Sequence, residues 1–158
     1  MKVLLICTGN TCRSSMAEAF LRDMIEKASI NGDITVLSAG LAAAAGDTAS
    51  PNAIRTMADY GIDLGGHRSR PVTEAMLQEA DLILTMTKGH KQAVLAAIPG
   101  VWNKVFTLKE YAGLSGGDIM DPYGRPLSCY KDCAREIHEA VMRAYERISR
   151  ETGKNGSK

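Results

Sequence analysis

The sequence has no excess of charge of either sign. Lysine and arginine number 19 and aspartate and glutamate 18, a formal net charge of +1. No global field draws such a chain to nucleic acid or to an anionic membrane, so any preference for anions must be local. A long apolar run is also missing. Val3-Leu4-Leu5-Ile6 is shorter than a signal-peptide core of about 7 to 15 residues, and nothing approaches the ~20 residues that cross a bilayer. The chain is therefore expected to be cytoplasmic, with neither nucleic acid nor membrane as a partner. No internal repeat occurs, and the absence of G-x-x-x-x-G-K-S/T excludes an ATP-type phosphate loop. In a cytosolic chain of this size the four cysteines are not needed as disulfide staples, which makes reactivity or metal binding the live question.

What is present suffices for one well-filled core: 158 residues with 45% hydrophobic content, expected to form a single domain over residues 1–158. Lys2 to Ile6 reads as a buried strand that stops at Cys7. From Arg13 the spacing of Met16, Phe20 and Met24 predicts a helix packed on a sheet, with Glu18, Arg22, Asp23, Glu26 and Lys27 off the apolar stripe. Thr35 to Ser38, Leu82 to Thr85 and Val105 to Leu108 read as further strands, separated by helical patterns near Asn52 to Tyr60 and Lys88 to Ala97. A last long helix is expected from Ser128 to about Ile148, with a frayed tail over Thr152 to Lys158. Ala42 to Ala45, followed by Gly46 and Pro51, reads as a surface connection. The alternation predicts an α/β fold of three layers, a parallel sheet with helices on both faces.

In such a sheet ligands bind beyond the carboxyl ends of the strands, where the first strand delivers Cys7-Thr8-Gly9-Asn10-Thr11-Cys12-Arg13-Ser14. Five residues separate Cys7 from Arg13, enough for a semicircle of backbone N–H groups around one tetrahedral anion, with Gly9 relieving the turn. The following helix adds partial positive charge at the same spot, and Arg13 can pair bidentately with two phosphate oxygens. These surroundings favour the thiolate of Cys7, which can attack phosphorus and form a phosphocysteine that water then clears. A blander reading makes Cys7 and Cys12 buried small hydrophobes and Arg13 a surface cap.

Cleavage also needs a proton donor for the leaving group. Asp118 and Asp121 lie in Gly116-Gly117-Asp118-Ile119-Met120-Asp121-Pro122-Tyr123-Gly124, which reads as an exposed loop able to lie over a site. Asp121 is favoured: Pro122 fixes the backbone beside it, and Tyr123 offers an aromatic wall to a substrate side chain.

Val3 to Ser14, Ser38-Ala39-Gly40 and Asp121-Pro122-Tyr123 together resemble the low-molecular-weight protein tyrosine phosphatase family, over nearly the whole chain. The resemblance implies a four-stranded parallel sheet, Cys7 as nucleophile, Arg13 as phosphate clamp and Asp121 as general acid, then base. It implies that Asn10 holds the loop in shape through Ser38 and His67, and that Ser14 supports the thiolate. No metal or cofactor is called for, and the partners implied are phosphorylated proteins. Thr11 and Val105 to Tyr111 look like the bacterial members that act as protein arginine phosphatases. A phosphotyrosine-specific enzyme is the alternative. Two departures stand out: Ser15, where the family usually carries proline, expected to loosen the helix start, and Arg125-Pro126 after the Asp121 loop.

Two other classes compete. Cys7, Cys12, Cys129 and Cys133 could form two zinc-ligand pairs, although an arginine beside Cys12 fits zinc poorly and Cys129 and Cys133 more simply extend an apolar helix stripe. A redox or phosphocysteine carrier would use a Cys7–Cys12 disulfide or pass phosphate on, and would not need Asp121. An arsenate reductase relay is disfavoured because Thr85 to His90 contains no cysteine. His90 and His138 have no evident partners in the sequence and are expected to face solvent. Oligomeric state is left open, with a monomer preferred.

Overall fold

The first strand, β1 (Lys2–Cys7), is apolar on both faces because it runs through the middle of the sheet; all of it beyond Lys2 is buried. The computed structural model describes residues 1–28 and 33–155. After β1 come α1 (Arg13–Lys27), β2 (Thr35–Gly40), α2 (Pro51–Ala58), α3 (Glu74–Glu79), β3 (Leu82–Thr85) and α4 (Lys88–Ala97). A short turn of 3-10 helix at Pro99–Val101 leads to β4 (Val105–Thr107), α5 (Leu108–Tyr111) and α6 (Leu127–Asn155). The four strands are parallel in the order β2-β1-β3-β4. This is the expected α/β architecture.

Alternation along β1 divides the core. Val3, Leu5 and Cys7 face a layer built with Met16 and Phe20 of α1, Met57 of α2 and Ile137, Val141 and Ile148 of α6. Leu4 and Ile6 face the other way, onto Leu77 of α3 and Val94 of α4. Each fully buried side chain of this kind stabilises by roughly 1.5–3 kcal/mol. Because β2 and β3 flank β1 on opposite sides, the sheet has its switch point at the carboxyl end of β1, where a crevice opens.

Several boundaries differ from the sequence reading. The second strand runs on to Gly40, and the last ends at Thr107, whose hydroxyl caps α5 by accepting from Glu110 N, so that Leu108 is helical. Thr152 to Asn155 continue α6 rather than fraying; residues 156–158 lie outside the described part. The short α3 and α5 have too few turns to show a periodicity. Among the described residues no helix is long and apolar enough to cross a membrane.

Gly40 is where the sheet admits the loop after β1. A Cβ there would stand 2.4 Å from Thr8 O, 2.8 Å from Ala43 Cβ and 3.0 Å from Asn10 N. The two chains are laced at that point by hydrogen bonds from Leu41 N to Cys7 O and from Ala42 N to Thr8 O. Gly40→Ala is expected to lower stability by about 1–3 kcal/mol, because backbone rather than a flexible side chain must move. Urea denaturation measures it, and an unchanged midpoint would contradict the tight approach.

Candidate active site

The loop between β1 and α1 wraps around Cys7. Its left-handed residue is not Gly9 but Asn10, at φ 58°. Gly9, expected to relieve the turn, lies outside the left-handed region, and a Cβ on it would meet only Thr11 Oγ1, at an ordinary 3.7 Å. Asparagine tolerates the left-handed conformation when its side chain is hydrogen-bonded locally. Here the side chain is fully buried, and both amide protons and the amide oxygen are hydrogen-bonded. Nδ2 donates to Ser14 Oγ and to Ser38 Oγ, each at 2.9 Å, while Oδ1 accepts from Arg70 N at 3.0 Å.

These bonds have a direction. Since Ser14 Oγ accepts from Asn10, its own proton is free for Cys7 Sγ, 2.8 Å away. The backbone N–H of Asn10 also donates to that sulfur, at 3.3 Å. Ser38 Oγ in turn donates to Glu18 Oε2 at 3.1 Å, and His67 Nε2 meets Asn10 O at 2.6 Å while its Nδ1 stands 3.7 Å from the same Glu18 oxygen. A closed ring of polar groups therefore surrounds Asn10. Glu18, off the apolar stripe in the sequence, is buried inside this ring. Burial works to raise its carboxyl, but hydrogen bonding to His67, the Arg22 charge and the Ser38 hydroxyl outweigh it and hold the group below the usual value of 4.5.

Arg13 opens α1. Its buried guanidinium donates through NH1 to Ile119 O at 2.9 Å and lies 3.5 Å through NH2 from Asp121 Oδ2. Ile119 is itself buried, and its N–H bonds Met86 O, so the segment carrying Asp121 is tied to the end of β3 and to Arg13 at once. Asp121 is exposed and takes the Tyr123 N–H on Oδ1 at 3.1 Å. Asp118, the other carboxylate of this loop, caps α4 by accepting from Lys88 N. Tyr123 is 71% exposed, and Thr11 is half-buried.

Cys12 lies buried beside Ser50 Oγ at 3.3 Å, Tyr130 OH at 3.5 Å and Thr11 Oγ1 at 3.8 Å. Sequence reasoning named neither Ser50 nor Tyr130. Ser50 was findable as the cap before Pro51 at the start of α2, whereas Tyr130 reaches the loop only through the placing of α6. Burial, together with the bond to Cys12, pushes the Tyr130 phenol up to about 12. All four cysteines are free, and among the described residues no three metal-ligating side chains converge. Ser15 does not loosen α1: it is buried, and its hydroxyl donates to Cys12 O at 2.8 Å.

The two histidines expected in solvent are placed otherwise. His138 packs edge-on against Phe20, centroids 4.9 Å apart, and tilts over Tyr60. His90 is buried, with Nε2 2.9 Å from Thr8 Oγ1.

A cysteine at the end of a central strand, ringed by donors and followed by a buried arginine facing a carboxylate, is matched by known proteins. A model of the low molecular weight phosphotyrosine protein phosphatase family fits residues 2–154. The chain belongs to that family. It is similar to a protein-arginine-phosphatase of Bacillus subtilis, 38% identical over 151 residues, with 96% of this chain and 99% of that one covered. A probable low molecular weight protein-tyrosine-phosphatase, EpsP of Ralstonia nicotianae, is 37% identical over 139 residues, covering 88% and 90%. Among solved structures, a YwlE arginine phosphatase, a C7S mutant with a phosphorylated active-site serine, superposes with a TM-score of 0.89 at 38% identity, covering 94% of this chain and 96% of that one.

The Glu18 ring in this phosphatase fold gives a pH signature. Its carboxyl is held lower when folded than when unfolded, so its contribution to stability is present above the ordinary value of 4.5 and is lost as pH falls through the folded-state value. Glu18→Gln is expected to destabilise the protein near neutrality by roughly 1.5–3 kcal/mol, the range for hydrogen bonds to a charged group. The gap to the unmodified protein should narrow toward about pH 3. Urea midpoints at both pH values measure it; a gap that stays constant would remove Glu18 from the ring.

Proposed function

We propose that this member of the family is a cytoplasmic, single-domain protein phosphatase that hydrolyses phosphoarginine in proteins through a phosphocysteine on Cys7. The reading rests above all on one juxtaposition: Cys7 Sγ within reach of Ser14 Oγ and Asn10 N–H, beside a buried Arg13 whose guanidinium faces Asp121. In this reading the ring around Asn10 holds the sulfur and lets Ser14 donate to its anionic form. Arg13 and the backbone N–H groups of residues 8–13 take the phosphoryl oxygens, and the sulfur attacks phosphorus in line. As the S–P bond forms and the P–N bond breaks, Asp121 gives its proton to the departing guanidine nitrogen. The resulting carboxylate then takes a proton from the water that displaces phosphate from sulfur, and the thiolate is regenerated.

Phosphoarginine is favoured over phosphotyrosine by Thr11 at the rim and by the exposed Asp121 carboxylate, which suits a guanidinium partner. The name of the Bacillus relative points the same way. The EpsP relative supports the alternative, a phosphotyrosine-specific enzyme with the same mechanism.

On matched phosphoarginine and phosphotyrosine peptides, without added metal and under reducing conditions, kcat/KM is expected to favour phosphoarginine, with Cys7→Ser inactive. A preference for phosphotyrosine keeps the chemistry and reverses the substrate assignment. Asp121→Asn is expected to lose about 100-fold to 10,000-fold in kcat, the usual share of a general acid and base. Multiple turnover at the original rate in a folded Asp121→Asn protein would refute the acid assignment and favour a carrier.

A further inference from the structure

The mechanism above leaves a buried histidine unused. His90 sits in the first turn of α4, where Thr87 Oγ1 caps the helix by accepting from His90 N at 3.0 Å. The residue is 8% exposed, and its ring reaches across to the loop after β1, with Nε2 2.9 Å from Thr8 Oγ1. The other ring nitrogen, Nδ1, is buried and has no hydrogen-bond partner among the described residues. Thr8 follows Cys7 directly and is exposed at the mouth of the loop, its carbonyl held by Ala42 N at 2.9 Å. Backbone and side chain of Thr8 are thus fixed from opposite sides.

The missing partner on Nδ1 decides where the imidazole proton sits. A proton on Nδ1 would be a buried donor with no acceptor, which proteins avoid more strongly than a bare acceptor. The proton therefore belongs on Nε2 and is donated to Thr8 Oγ1. The ring is also kept neutral: burial lowers its proton affinity, the nearby Arg13 charge adds to this, and Asp118 and Asp121 oppose without prevailing. With one lone pair of Thr8 Oγ1 taken, the hydroxyl proton of Thr8 cannot turn back toward His90. It must point away, on the exposed side of the loop.

We infer that His90 is a positioning residue for the phosphatase reaction: by donating from Nε2 to Thr8 Oγ1, it aims the Thr8 hydroxyl as a donor at a phosphoryl oxygen held over Cys7. The inference rests on the phosphatase reading and adds to it a donor outside the ring around Asn10. Tyrosine or arginine as the phosphorylated residue makes no difference, because the contact is to the phosphoryl group common to both.

The test is a double-mutant cycle on an aryl phosphate, with inhibition by inorganic phosphate measured in parallel. Thr8→Val is expected to lower kcat/KM about tenfold to a hundredfold, the range for one hydrogen bond to a charged group, and to weaken inhibition by phosphate. Thr8→Ser keeps most of the activity. His90→Phe loses a similar amount, His90→Gln, which restores an N–H near the position of Nε2, recovers most of it, and the Thr8→Val/His90→Phe double variant is no worse than either single one. Losses that multiply in the double variant, or a His90→Gln protein no better than His90→Phe, would overturn the inference, since a merely structural histidine behaves in that way. Should His90→Phe fail to fold, Thr8→Val against Thr8→Ser decides alone: Thr8 is exposed, and a Thr8→Val enzyme as active as the original overturns the proposal. Turnover surviving in Cys7→Ser would instead sink the phosphatase reading, while the phosphate affinities of Thr8→Val and Thr8→Ser would still report on the hydroxyl.

Discussion

Everything at this site depends on holding Asn10 in a backbone conformation that residues other than glycine rarely adopt. Left alone, such a residue costs of order 1–3 kcal/mol. Five polar contacts offset that: two from Nδ2, one to Oδ1, one to the carbonyl and one from the N–H to Cys7 Sγ. Glycine would adopt the angle without strain and would bring none of the side-chain bonds. The choice of asparagine thus couples the shape of the loop to β2 through Ser38, to the segment around Arg70, and to the first turn of α1 through Ser14. If any of the three moves, the sulfur moves with it.

This coupling explains why the start of α1 buries polar residues in a layer that is otherwise apolar. Arg13, Ser14, Ser15 and Glu18 are all buried there, an arrangement that costs free energy unless every group is paired. Each one is. Arg13 meets Ile119 O and Asp121, Ser14 meets Cys7 and Asn10, Ser15 meets Cys12 O, and Glu18 meets Ser38, His67 and Arg22. The pairing of Arg13 with Ile119 O has a second effect, because it ties the loop that carries Asp121 to the arginine that Asp121 faces. The carboxylate is positioned by a buried backbone contact while remaining exposed itself, which suits the proton transfers proposed for it.

The architecture and the heart of the site were legible because they follow from short-range patterns. A four-residue apolar run, a break at Cys7 and a four-residue spacing from Met16 specify a strand, a loop and a helix in order, and that order places the loop at the carboxyl edge of the sheet. What was missed is long-range. Glu18 looks like a surface charge because nothing near it in the chain shows that Ser38 and His67 will close over it. His90 carries no local mark either; its partner Thr8 lies 82 residues away in the chain and is brought near by the pairing of β1 with β3. The shift of steric relief from Gly9 to Gly40 has the same origin. Which glycine is indispensable depends on what packs against it, and Thr8 O approaches Gly40 from a different strand connection.

Chemistry and choice of substrate are separated in depth. Of the groups assigned to the chemistry, Cys7, Asn10, Arg13 and Ser14 are buried and mutually constrained, so a change in one disturbs the rest, while Asp121 is exposed. The groups that would meet a substrate side chain, Tyr123, Met120 and the half-buried Thr11, are exposed and make few contacts that the fold depends on. Such residues can change without repacking a core, whereas Asn10 or Ser14 cannot. Relatives of nearly equal similarity to this chain, at 38% and 37% identity, can therefore carry names for different phosphorylated residues. Overall identity measures the shared frame and says little about the rim. The phosphoarginine assignment accordingly stands or falls on Thr11 and on the leaving-group carboxylate of Asp121, and not on how closely the remainder of the chain follows either kind of relative.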